Sequence, residues 1–491
     1  MSVLIEIATV GYACGVERMS ENVYLALDLG ASSGRAILGY FDSGRMRMEE
    51  VHRFRTPTIT EGKRLYWDLA SVWEGLQEGL NRAVAKAPKL RSLSVDSWGV
   101  DYVPLDAYLR PLRRAHLYRD SRTQDMAEIA DERMPRDDLY ACTGVMPLSI
   151  NTLYQVLADQ QHTPELFRQT YSRLLIADYF NWRFCGRPVA EVSLASTTQL
   201  LDPGLLDWSR PAMDVMGIDV TTWPKVVPSG TILGPLEPAD SVIAVIAGCS
   251  HDTACAVAAA PAEADSNWAF LSSGTWSLLG AECGAPVRTS AAGAAGFTNE
   301  VGFGGTIRLL KNLTGLWVLQ ECEREWRTAG QQFTYDTLIE EAAAASSLGY
   351  TIDFCEPTFT APGDMIGRIA KWCRGNGAVV PADRGACVRL IFESLAEMYR
   401  ATLKNLEALL GCSYAVLHTV GGGSRNALLN QWTADRCKCK VVAGPAEATA
   451  LGNLLVQAHT MGDIPAGETI RSIAARSVST ETFSPNRSDG S

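Results

Sequence analysis

The 491-residue chain has no G-x-x-x-x-G-K-S/T and no G-x-G-x-x-G. A P-loop and an ordinary dinucleotide-binding βαβ unit are therefore excluded. Its six histidines (His52, His116, His162, His251, His418, His459) have no ligand spacing, and its thirteen cysteines form no C-x-x-C pair. Structural zinc is not expected. No apolar run reaches the roughly 18 residues of a membrane span. Basic charge is also short: the net charge of −11 disfavours nucleic acid and anionic membranes as partners. The opening "MSVLIEIATVGYACGVERM" has no basic start and Glu6 interrupts its apolar run, so no secretory signal is expected. Residues 1–18 read as an N-terminal extension. An odd, scattered set of cysteines fits reduced thiols in a cytoplasmic protein, with a pairing such as Cys355 to Cys373 left open.

What is present begins with "LALDLGASSGRAILGYF". Gly30-Ala31-Ser32-Ser33-Gly34 fits G-x-S-x-G, the nucleophile elbow of serine hydrolases. An elbow needs a helix straight after the serine. Here "RAILGYF", the turn "DSGR" and "MRMEEVHRF" read as strand, hairpin and strand. A phosphate-binding turn fits better, with N–H groups and hydroxyls as donors and Arg35 adding charge; a plain hairpin turn is the alternative. "WDLASVWEGLQEGLNRAVAKA" reads as a helix capped by Asp68, with Leu69, Val72, Trp73, Leu76, Leu80 and Val84 on one face. "LRSLSVDSWGVDYVPLD" gives two more strands. The small-residue segment 258–268 marks the main boundary. Beyond it "WAFLSSGTWSLLG" repeats the strand–turn–strand of the opening, which predicts a duplicated unit. A long helix through "CVRLIFESLAEMYRATLKNLEALLG" carries Leu390, Ile391, Leu395, Met398, Leu403 and Leu406, with Gly411 as C-cap. Strand–helix alternation after it predicts α/β architecture. The tail "SPNRSDGS" is expected to be disordered.

Four further segments carry chemistry. In "AGCSHDTACAV", Asp252 follows an apolar run among small residues, where a carboxylate can accept a proton from a substrate hydroxyl or simply cap the next helix. "LSSGTWSLLG" offers Thr275 in a second phosphate turn, or a glycine bulge. "VGGGSRN" has three glycines before a helix, more than a tight turn needs, allowing backbone to approach a flat ligand. "VDSWGVDYV" sets Asp96 and Asp101 around Trp98 and Gly99, a pattern suited to a polyol or to a polar hairpin. A nucleotide-borne Mg²⁺ needs only one or two carboxylates, and Asp28 and Asp252 are the obvious choices, Asp28 foremost.

Taken in order, "LDLGASSGR", "VDSWGVDYV", "YRDSRT", "NTLYQ", "STTQLLD", "SHDTA", "LSSGTWSLLG", "LLKNLTGLW", "VGGGSRNALLNQ" and "GPAEATALGN" resemble the FGGY carbohydrate kinases, and among them the rhamnulokinases, from about Tyr24 to Gly462. The resemblance implies two actin-like (ribonuclease-H-like) α/β domains with the active site in the cleft between them, here residues 19–258 and 259–480, followed by a tail at 481–491. It implies ATP-dependent phosphorylation of L-rhamnulose at O1. By motif, Asp252 is the base; Gly99, His251, Thr253 and Asn312 line the sugar. Ala31, Ser32, Ser33, Gly34, Arg35 and Thr275 meet the ATP phosphates; Gln320 and Gly422 meet the nucleotide. The implied partners are a ketose, ATP and Mg²⁺, for a monomer or homodimer in the cytoplasm. Kinases of fuculose, ribulose or xylulose, and a non-enzymatic actin-like nucleotide-binding protein, are the alternatives.

Overall fold

The computed structural model describes residues 21–238, 241–263 and 266–486; the N-terminal extension and the last residues of the tail lie outside them. The opening strands form as the apolar runs require. β1 (Asn22–Leu29) is buried on both faces along nearly its whole length, as a central strand must be. β2 (Ser33–Asp42) returns antiparallel to β1, and β3 (Arg45–Arg55) antiparallel to β2. Ser43 and Gly44 take positive φ in the turn between them, the backbone a two-residue hairpin requires.

α1 (Leu69–Lys86) is capped as expected, the Asp68 carboxylate accepting from the Ser71 N–H at 3.2 Å. Its contact face differs from the predicted one. Val72, Gly75, Leu76, Gly79 and Ala83 are buried, whereas Val84 is exposed and Leu69, Trp73 and Leu80 only flank the core. A Cβ on Gly75 would run into Phe54 and one on Gly79 into Ala36. The helix therefore seats through its small residues and lies close on the sheet. β4 (Leu90–Ser97) then joins parallel to β1, and β5 (Thr231–Pro235) and β6 (Ala244–Ala247) complete the order β5-β6-β4-β1-β2-β3. Between β4 and β5 lies a helical insertion whose side chains join the same core.

After α2 (Asp252–Ala258) the pattern repeats. β7 (Trp268–Ser273) and β8 (Trp276–Cys283) make the hairpin, with β9 (Thr298–Val301) and β10 (Ile307–Thr314) beyond β8. α3 (Trp317–Thr328) and α4 (Arg384–Leu410) follow; the predicted stripe on α4 is buried and Gly411 caps it in the left-handed conformation. β11 (Val416–Val420) runs parallel to β7, and after α5 (Ala427–Cys437) β12 (Lys440–Ala443) runs parallel to β11. The order is β9-β10-β8-β7-β11-β12-β13, closed by β13 (Glu481–Phe483). Apart from the additional edge strand β9, this matches the first sheet: an antiparallel hairpin, a third antiparallel strand, then two parallel strands on the other side of the first. The duplicated unit read from the two Ser/Gly turns is present. The tail begins in order, since Phe483 pairs with Val441 at the sheet edge.

α6 (Ala448–Thr460) comes late in the chain yet packs on the first sheet. Its Ala450, Leu451, Leu454 and Leu455 share a core with Tyr24, Ala26 and Ile37 and with Ala254 and Cys255 of α2. A Cβ on Gly452 would collide with the Cys255 carbonyl; the two helices cross at backbone distance. The site described next lies over this junction.

Candidate functional site

α2 begins just past the end of β6, and the connecting residues run beside β4: the Ser97 N–H donates to the Ser250 carbonyl at 2.9 Å. Asp252 opens the helix. Its Oδ1 accepts from the Thr253 N–H (2.5 Å) and the Thr253 hydroxyl (3.1 Å) and lies 3.4 Å from His251 Nε2. Its Oδ2 has no hydrogen-bond partner among the described residues, and the side chain is 33% exposed. One oxygen is anchored and the other is open, the geometry of a proton acceptor. Glu191, fully buried, holds the backbone behind it. It accepts from the Ser250 N–H at 2.9 Å and from the Ser193 hydroxyl at 2.6 Å, and the Ser193 oxygen accepts from the His251 N–H at 3.3 Å. Asp178 lies beneath Glu191; burial, then the Glu191 charge, pushes its carboxyl well above the usual range.

A second group lies at the ends of β1 and β4. Asp28 and Asp96 are register partners on these adjacent strands, and Asp28 and Arg35 are partners across the β1–β2 hairpin. Arg35 forms ion pairs with both Asp28 and Glu447, and Glu447 also pairs with Arg425 at 3.2 Å. Burial raises Asp28 despite the Arg35 charge. Burial, then Asp28, raises Asp96 further. Asp96 Oδ2 accepts from the Asn453 amide at 2.6 Å, while Asp96 Oδ1 is buried without a partner among the described residues. Among the described residues no three His, Cys, Asp or Glu side chains cluster as a metal cage. The donor set suits a hydrated Mg²⁺ carried by phosphate and touched by one or two carboxylates; an orphaned carboxylate oxygen beside Asp28 fits that use.

The two Ser/Gly turns share one construction. In the first, the Ser32 carbonyl accepts from the Thr56 N–H (3.2 Å), the Gly30 carbonyl from the Thr56 hydroxyl (2.9 Å), and the Ser33 carbonyl from the Gly30 N–H (3.0 Å). The Ser32 and Ser33 hydroxyls have no partner among the described residues, and Ala31 and Ser32 are exposed. β2 starts at Ser33, so a strand and not a helix follows Ser32, and the hydrolase elbow is ruled out. In the second, the Gly274 carbonyl accepts from Leu316 (2.8 Å) and the Thr275 carbonyl from Gly315 (3.2 Å) and Trp317 (3.1 Å). The Thr275 hydroxyl donates to Gln320 at 3.1 Å. In both turns a second segment takes carbonyls; in the first this leaves the Ser32 and Ser33 hydroxyls as donors for an anion, whereas in the second the Thr275 hydroxyl donates to Gln320. The glycine triplet packs against this second turn. A Cβ on Gly423 would collide with the Ser273 hydroxyl, Gly421 needs its positive φ, and Gly422 faces open space. Beside Gln320 an open cavity of about 440 Å³ is lined by Glu323, Arg324, Arg327 and Thr328.

The remaining positions are less tightly grouped. Gly99 packs against Thr197, where a Cβ would come within 2.8 Å of the hydroxyl. Asn312 shares a face of β10 with Leu310, which packs on Val257 of α2, and makes no side-chain hydrogen bond among the described residues. The polyol reading of Asp96 and Asp101 fails. Asp101 is buried and accepts from Trp67 (2.6 Å), Trp98 (3.0 Å), Gln155 (2.8 Å) and the Tyr118 N–H (3.3 Å). "VDSWGVDYV" is not a hairpin either: Tyr102–Leu105 pairs with Ser172–Leu175. Cys355 and Cys373 are free, like every cysteine among the described residues.

The sequence matches the profile described as "FGGY family of carbohydrate kinases, N-terminal domain" over residues 23–259 and its C-terminal counterpart over 269–461. It is 38% identical to a rhamnulokinase of Bacteroides thetaiotaomicron, over 95% of this chain and 96% of that protein. It is 37% identical to a rhamnulokinase of Enterococcus faecalis, over 96% of each. Its fold is similar to that of gluconate kinase from Lactobacillus acidophilus (TM-score 0.78, 16% identity, 95% and 94% of the two chains). Plasmodium falciparum glycerol kinase with ADP is comparable (TM-score 0.76, 16% identity, 95% and 94%). This chain belongs to the FGGY family of carbohydrate kinases.

Proposed function

We propose that the enzyme converts ATP and L-rhamnulose to ADP and L-rhamnulose 1-phosphate in the cytoplasm. The observation that carries the chemistry is Asp252, one oxygen tied to Thr253 and the other without a partner among the described residues. The name of the relatives supplies the sugar. In this reading Oδ2 takes the proton of the O1 hydroxyl as that oxygen attacks the γ-phosphorus in line. The new O–P bond forms while the bond to the β–γ bridging oxygen breaks, and ADP leaves with that oxygen. Most of the rate comes from position and electrostatics.

The Ser32 and Ser33 hydroxyls and the backbone from Ala31 to Gly34 hold phosphate oxygens, Thr275 joins them when its hydroxyl turns from Gln320 to phosphate, and Arg35 brings positive charge beside Asp28. Gln320 and Gly422 border the nucleotide, Gln320 beside the open cavity along α3. Gly99, His251, Thr253 and Asn312 border the ketose. Mg²⁺ would be held at Asp28 with Asp96 beside it, and supplies charge neutralisation on the β- and γ-oxygens when bound. Closure of the cleft keeps water from competing as acceptor.

ADP release measured over a panel of L-rhamnulose, L-fuculose, ribulose and xylulose tests the assignment. The highest kcat/KM is expected for L-rhamnulose, with the 1-phosphate as product. A tenfold preference for another ketose would replace the substrate and keep the chemistry.

A further inference from the structure

The domain opposite Asp252 contributes a buried ion pair that the reaction above does not use. Glu300 on β9 and Arg308 on β10 meet at 3.0 Å, with Arg308 wholly enclosed. Both face His251. Arg308 Nη2 lies 3.2 Å from His251 Nδ1 and 3.3 Å from the Val301 carbonyl in hydrogen-bond geometry, and Glu300 Oε2 lies 3.4 Å from the same ring nitrogen. On the far side of the ring, Nε2 lies 3.4 Å from Asp252 Oδ1.

A guanidinium has N–H donors and no acceptor. Its approach to Nδ1 as a hydrogen bond requires the lone pair there. The ring proton is then on Nε2, which lies 3.4 Å from Asp252 Oδ1. The reverse tautomer would set a hydrogen on Nδ1 against the Arg308 donor and a lone pair on Nε2 against the Asp252 carboxylate; only Glu300 Oε2, 3.4 Å from Nδ1 and outside hydrogen-bond geometry with it, would favour that form. Glu300 keeps the buried guanidinium neutralised, without which its charge would be costly.

We infer that Arg308, neutralised by Glu300, is a positioning residue: it fixes His251 as the Nε2–H tautomer, so that His251 orients Asp252 by its Oδ1 and leaves Oδ2 for the sugar. The residues come from both domains, so the base is fully oriented only where the second sheet is seated against the first domain. The inference rests on Asp252 as the base.

The test reads the tautomer directly. In the full-length protein with ¹⁵N-labelled histidine, long-range ¹H–¹⁵N correlations report which nitrogen of each ring is protonated. His251 is assigned by the signal lost in His251→Asn. An unprotonated Nδ1 with a protonated Nε2 is expected; a protonated Nδ1, alone or as imidazolium, overturns the inference. Kinetics give the second reading. Arg308→Met, checked for folding by thermal melting, is expected to lower kcat roughly tenfold through lost orientation, with both KM values within about threefold. Arg308→Lys, which keeps a donor, restores part of the loss. Placed on His251→Asn, Arg308→Met costs no more than about a further twofold, because the two act through one contact. Full multiplication of the two losses, or a folded Arg308→Met with unchanged kcat, contradicts the role. If Arg308→Met does not fold, the tautomer spectrum decides alone. That spectrum is taken on resting protein and does not depend on the base assignment, which Asp252→Asn tests separately.

Discussion

The Asn453 amide of α6 donates to the Asp96 carboxylate at the end of β4 across 2.6 Å, joining residues 357 positions apart in the chain. Gln457, one helical turn further, donates to the Leu25 carbonyl at 2.9 Å and to Asn453 at 2.7 Å, and accepts from Ser92 at 2.7 Å. α6 is thus fastened to the first sheet directly beneath the acidic group.

This junction is expected to be intolerant of substitution. Asn453→Leu leaves Asp96 and Gln457 without their buried partner and is expected to cost about 2–3 kcal/mol. Gly452→Ala forces a Cβ into the Cys255 carbonyl and is expected to cost about the same. Denaturant unfolding of each variant measures this. Losses under about 0.5 kcal/mol, the size of an ordinary surface substitution, would mean that α6 does not bear on the sheet as described.

The glycine triplet separates packing from binding. Gly423→Ala must push Ser273 away and is expected to lower the melting temperature. Gly422→Ala meets nothing and has no positive φ to lose, so stability should hold. If Gly422 borders the nucleotide, its new methyl raises the KM for ATP several-fold and leaves the sugar KM alone. Equal effects of the two variants on stability and on ATP would refute that division.

Asp101 gives a pH prediction. Burial pushes its carboxyl up to about 6, although the Trp67, Gln155 and Trp98 donors oppose the rise. An acid raised on folding adds stability that is fully present below its unfolded value near 3.8 and is lost as pH rises through about 6. Relative to Asp101→Asn, the parent protein should therefore lose up to about 3 kcal/mol between pH 4 and pH 7. Paired unfolding curves across that window check it. A stability difference that does not vary with pH would place the Asp101 carboxylate in a more polar setting than the one seen.

The parts of this molecule legible in its sequence are local ones. The two Ser/Gly turns, the Asp68 cap, the α4 stripe and the Gly411 cap each depend on residues within a few positions, and the turn chemistry showed the duplication. Ser32 was separated from a nucleophile by the strand that follows it. The seating of α1 was misread because its contact face is built of Gly75, Gly79 and Ala83, which apolar periodicity passes over. Asp96 and Asp101 looked like sugar ligands because burial on both sides does not register in a nine-residue string. Glu191, Glu300, Arg308, Glu447 and Asn453 were not singled out. Each acts through a partner from another segment, and only the fold brings them together. Glu447 and Asn453 did lie inside a motif that carried the family resemblance, which was the one available signal.

The central claim is that Asp252 takes the proton of the sugar hydroxyl. Asp252→Asn keeps the shape and the Oδ1 contacts and removes the basic oxygen. Steady-state ADP release at saturating ATP and L-rhamnulose, with sugar affinity measured separately by calorimetry, tests it most directly. A fall in kcat of at least roughly 10²-fold with sugar affinity retained is predicted. Turnover within about threefold of the parent enzyme would contradict the account.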